Sequence, residues 1–177
     1  MLSNACAVME SAGKKNELQE LAAVLRDLHR ALAERARRDC ERAPHGLLNP
    51  DEFLHFLVAE PRFAWIRSLS ELMVDLDVFL KADPSPTEDE AAAVRAEVER
   101  LIGAPDASEV SDAAATFARL CRAYASDDAN VAMARAKVGQ AIAGLPEADS
   151  VNEAEVLHER HRWAEVRRHR RTATDRW

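Results

Sequence analysis

The chain predicts an all-α fold, a single-domain helical bundle of six or seven helices, partly up-and-down, and three observations carry that prediction. Ala, Glu, Leu and Arg dominate, and all four are good helix formers. Apolar residues recur at helical spacing, while period-2 alternation and β-branched runs are missing. The 5 Gly and 7 Pro of the 177 residues fall mainly between these stripes, too few for a turn-dense all-β chain. A composition of 47% hydrophobic and 31% charged residues excludes wholesale disorder. The expected layout is a leader without fixed structure over residues 1–13, a bundle over 14–166, and an Arg-rich tail over 167–177 that frays or docks.

The first helix is expected from Asn16 to Ala43. Leu18, Leu21, Leu25, Leu28 and Leu32 recur at 3-4-3-4 spacing and make one apolar face. Arg26, Arg30, Arg37 and Arg38 lie off it, and Glu34 stands four before Arg38 in the favourable order for an ion pair. Pro44-His45-Gly46 reads as a loop. A second, short helix starts at Asn49-Pro50-Asp51-Glu52. There Asn49 accepts from a first-turn N–H, Pro50 fits the first helical position, and the two acids face the positive helix end.

Pro61 opens a third helix, running to about Ala82, whose stripe is Phe63, Ile66, Leu69, Leu72, Met73, Leu76, Phe79 and Leu80. Asp83-Pro84-Ser85-Pro86 breaks it. Thr87 with Glu90 fits a capping box for a fourth helix with Ala91, Val94, Val98 and Leu101 inward, stopped by Gly103-Ala104-Pro105. A fifth helix, Ala107 to Ala125, carries Val110, Ala114, Phe117, Cys121 and Tyr124 on one face. Asp127-Asp128 caps a sixth with Val131, Ala134, Val138 and Ile142 inward, ended by Gly144-Leu145-Pro146. Ser150 caps a last helix that runs into the tail.

The runs HGLLNPDEFLHFL (45–57) and PRFAWIRSLSELMVDLD (61–77) resemble a segment of uncharacterised bacterial all-helical proteins. The resemblance covers this stretch only. It implies a bacterial origin and a small helical domain, and it transfers no functional residue.

The net charge of −7 disfavours binding of nucleic acid by the whole protein, and it weakens any case for an anionic membrane surface. The three cysteines, Cys6, Cys40 and Cys121, are odd in number and widely spaced, so reduced thiols and a cytoplasmic location are expected. No secretory signal and no transmembrane helix is expected. Cys121 lies on an apolar stripe and should be an inert thiol. Cys40, near Arg37, Arg38 and Arg42, would be activated if exposed.

Three regions bear on chemistry. Phe53, Phe56, Phe63, Phe79 and Trp65 concentrate between Pro44 and Leu80, which reads first as core; an exposed Trp65 would instead mark an interface. Glu52 with His55 and Glu155 with His158 repeat the Glu-x-x-His spacing of di-iron and di-manganese bundles. The further carboxylates would have to be Glu34, Asp75, Asp77 or Glu97, none of them inward by pattern, and Glu52 suits the helix dipole better. The third region is the C-terminal segment, with seven Arg against five acids from Val151 on. Arg160, Trp163, Arg167, Arg168, Arg170, Arg171 and Trp177 suit a solvated helix end, an arm docking on an acidic face such as residues 71–112, or phosphate and base contacts.

Phosphate-loop, dinucleotide and nucleophile-elbow motifs are missing, and His158 with His161 is one residue short of a zincin pair. The expectation is a non-catalytic protein without a cofactor, working by protein–protein interaction or self-association. The partners expected are a protein or a second copy of the chain, with no membrane. The alternatives are a di-metal bundle with an oxidoreductase or storage role and, more weakly, nucleic-acid binding through the tail.

Overall fold

The computed structural model describes residues 3–42, 49–82, 85–103 and 113–147. Among these are six α-helices and no strand: α1 Ser3–Arg42, α2 Pro50–Ala59, α3 Ile66–Ala82, α4 Glu88–Ile102, α5 Ala113–Asp127 and α6 Ala129–Ala143. Together they form an all-α bundle. Helix α1 begins well before Asn16, so it runs through most of the stretch expected as an unstructured leader.

The leucine stripe organises the bundle. Leu18, Leu21, Leu25, Leu28 and Leu32 are completely buried, and the face continues through Ala36 and Cys40. Helix α1 packs chiefly against α6 and α3, and α5 packs against α6 and α4. Each fully buried Leu contributes about 1.5–3 kcal/mol relative to exposure. Ile66, Leu69, Leu72, Leu76 and Phe79 of α3, Val94, Val98 and Leu101 of α4, Phe117 and Cys121 of α5, and Val131, Val138 and Ile142 of α6 meet this stripe in one core.

The helices neighbouring α1 run against it. His29 meets Ser70 and Arg26 meets Asp77, so α3 rises as α1 falls. Arg38 meets Asp128 at the start of α6, while the Gly13–Lys14 end of α1 lies by Gly144, so α6 is antiparallel too.

Several helix ends are set locally. Asn49 and Glu52 cap each other reciprocally: Asn49 Oδ1 accepts from the Glu52 N–H at 2.9 Å, and the Asn49 N–H donates to Glu52 Oε2 at 3.0 Å. Thr87 and Glu90 do the same for α4. At the far end of α4, the Gly103 N–H closes on the Glu99 carbonyl at 2.7 Å, and a Cβ added to Gly103 would overlap that same oxygen. The end carbonyls there accept from arginines of two other helices, Arg135 to Ile102 O and Arg122 to Gly103 O, each at 3.3 Å. Cations at a helix C-terminus also favour its negative dipole end. Arg95 ties α4 to the end of α6 by donating to Leu145 O at 2.7 Å.

One helix differs from its expected course. Pro61–Phe63 is a 3-10 turn, and the chain bends through Ala64 and Trp65 before α3 begins at Ile66. The bend resets the helical phase, and it turns Trp65 inward. No helix among the described residues is long and apolar enough to cross a membrane.

Candidate functional site

Trp65 is 5% exposed. Its ring lies 5.7 Å from both Phe117 and Tyr124 in tilted contacts, so it belongs to the core and lacks the exposure on which an interface role depended. At the Tyr124 edge of this cluster, the Arg35 Nε–H is shared between the two Asp39 oxygens at 3.2 and 3.3 Å, and the guanidinium lies over the Tyr124 ring at 5.2 Å. Burial, followed by the Asp39 charge and hydrogen bond, pushes the Tyr124 phenol upward, so it stays protonated and serves as a donor.

Of the Glu-x-x-His residues, Glu52 is consumed by its cap and His55 is exposed on the first turns of α2. Glu155 and His158 lie outside the described residues, as do Arg160, Trp163, Arg167, Arg168, Arg170, Arg171 and Trp177. Among the described residues no three His, Cys, Asp or Glu side chains group as metal ligands. The four accessory carboxylates scatter. Glu34 faces solvent beside Arg37, and Asp77 pairs with Arg26 at 3.0 Å. Asp75 and Glu97 are both buried, against the pattern reading that left them outside. Glu97 is held by a two-pronged bond from Arg100, at 2.7 and 3.1 Å, which satisfies both oxygens of the buried carboxylate.

The thiols are interior. Cys40 is 1% exposed, so the condition for its activation by nearby arginines fails. Burial pushes the Cys121 thiol up to about 11, opposed by Arg135 and Arg122, and leaves it unreactive.

Sequence reasoning missed two features. One is the contact of His29 with Ser70, 3.0 Å apart between α1 and α3. Ser70 Oγ also reaches Ile66 O at 3.3 Å, and burial lowers the ring's pKa. The other is a groove of about 480 Å³ between α1 and α6, lined on one side by Asp27, Arg30, Glu34 and Arg38 and on the other by Asn130, Met133 and Lys137. Ala31 and Ala134 also line it. Met133 stands 58% exposed there, beside helices whose other large apolar side chains are mostly buried.

No signal in the spacing of either helix alone marks this groove, because each contributes half a wall. The Arg38–Asp128 contact, spanning 90 residues of sequence, sets the two halves in register. Asp128 also caps α6, accepting from the Asn130 and Val131 N–H groups at 2.9 and 3.4 Å. Burial opposes its ionisation, but those two N–H groups and Arg38 outweigh burial and hold the carboxyl below its ordinary value.

Comparison with protein-family models, curated proteins and solved structures gives no match.

Proposed function

We propose that this chain is a non-catalytic interaction protein that works by docking a protein surface on the groove between α1 and α6. The observation that carries this reading is Met133. A flexible thioether left 58% exposed in a groove of mixed charge suits an adaptable protein contact. Several polar groups already have structural work: Asp128 caps, Arg95, Arg122 and Arg135 bond end carbonyls, and Glu97 takes Arg100. We place the protein in the bacterial cytoplasm, where the buried thiols of Cys40 and Cys121 stay reduced.

Site-specific photo-cross-linking tests the reading. A benzophenone amino acid at position 133 is compared in the native host with one at exposed Arg119 on α5. A discrete protein adduct at 133 and none at 119 is the expected result. No adduct at 133, or the same smear at both positions, overturns it.

A further inference from the structure

Helix α4 is buried at four successive positions, Ala91, Ala92, Ala93 and Val94. Neighbouring residues stand about 100° apart round a helix, so four in a row pass right round it and this turn has cover on every side. Ala91 and Val94 turn to the common core. Ala92 and Ala93, 6% and 5% exposed, lie off that face. One turn on from Ala93, Glu97 is 2% exposed, and so is Asp75 of the adjoining α3. Ser70 and Asp77 are the α3 residues that meet α1, so Asp75 lies on the edge turned from α1.

The described chain ends against this part of α4. Arg95 donates to Leu145 O at 2.7 Å and reaches Glu147 at 3.4 Å. The residues that follow, 148–177, number 30, twice the 15 of α4, so they have the length to cross it. The charges also match. Residues 71–102 carry nine acids against three bases, and residues 158–177 carry seven Arg against three acids. Val156, Arg160, Trp163, Arg167 and Arg170 follow at 4-3-4-3 spacing, which sets guanidiniums and apolar groups along one line. That line suits a surface where alanine methyls sit beside carboxylates. A tethered segment meets such a surface at an effective concentration on the order of millimolar, ahead of a free partner.

We infer that the C-terminal arm, from Val156 to Arg171, docks in cis on the α3–α4 face, with Trp163 against the alanines of α4 and Arg160, Arg167 and Arg170 toward the acids of both helices. The arm's cations are then committed to the protein itself and withheld from polyanions. The α1–α6 groove has no part in this contact, so the inference stands or falls separately from the interaction reading.

The test places a benzophenone amino acid at position 166 of the full chain, three residues past Trp163. The dilute purified protein is irradiated, digested and mapped by mass spectrometry. A discrete intramolecular adduct within residues 71–102 is the expected result. Reversing two charges, Arg167→Glu with Arg170→Glu, should lower its yield about tenfold or more, because like charges then face the acids. Trp163→Ser should also lower the yield while leaving every charge in place. A random single-stranded oligonucleotide added at physiological salt should leave the adduct unchanged.

An adduct in the α1–α6 groove, one spread over the whole surface, one formed only between molecules, or none at all overturns the inference. So does a yield that the charge reversal leaves unchanged. Loss of the adduct to a cross-link with the oligonucleotide overturns it too, and assigns the arm to nucleic acid.

Discussion

Asp128 does two jobs with one carboxylate: one oxygen caps α6, and the other receives Arg38 from α1. Replacing it with Ala removes the cap and frees Arg38, and should cost about 1–2 kcal/mol by chemical denaturation. The pH dependence has a definite sign. The folded carboxyl sits below its ordinary 3.8, so the contribution is complete above that value and is lost as pH falls through the lower folded value. The gap between wild type and Asp128→Ala should therefore close in acid below 3.8 and stay constant at neutral pH. His29 behaves differently. Burial lowers its pKa from 6.5, so the unfolded chain binds the proton more readily. Stability should be complete above about 6.5 and decline below it until the folded ring also protonates. A His29→Gln variant should lose that slope in a pH-resolved denaturation series; an unchanged slope would clear His29 of the effect. Neither residue's partner is visible in local spacing. Asp128 reads from sequence as a cap, but Arg38 is 90 positions away, and the favourable Glu34–Arg38 spacing gives way to Arg38–Asp128 and Glu34–Arg37 contacts.

Helices were legible where periodicity and punctuation agree. The 3-4-3-4 leucines of α1, the Thr87–Glu90 box, Pro50 at the start of α2 and Gly103 after α4 each have a local physical cause, and each appears as expected. Where the phase breaks, spacing fails. The turn at Pro61–Phe63 separates Trp65 from the stripe of α3, so its inward direction was not readable. Asp75 and Glu97 were hidden for another reason: a stripe identifies the apolar face, while the burial of a polar neighbour depends on which element covers it. Two predictions belong to this scale. Leu25→Ala, in the middle of the fully buried α1 stripe, should cost about 2–5 kcal/mol, because a cavity is added to the lost transfer energy. Gly103→Ala should destabilise measurably in the same denaturation assay, since its methyl would press on the Glu99 carbonyl and pull the α4 end away from Arg122 and Arg135. A neutral Gly103→Ala would show that this helix end relaxes freely.

At the scale of the molecule, the described apolar stripes are spent on holding helices together, and Asp128, Arg95 and Glu97 serve helix ends and paired charges. Among the described residues the groove between α1 and α6 stays open, with Met133 uncovered. The groove could not be read beforehand because it exists only once two helices from opposite ends of the described chain are packed antiparallel. Among the described residues, Leu54, 61% exposed on α2, and Val74, 43% exposed on α3, are the other large apolar side chains left outside. The most direct measurement is amide hydrogen exchange of the full chain, alone over a concentration series and with the protein captured by the position-133 cross-link. Protection should grow along residues 27–38 of α1 and 130–137 of α6 in one of the two settings, and stay constant along the outer faces of α2 and α5. Exchange unchanged in both, or protection that grows elsewhere while the groove stays open, would contradict the account.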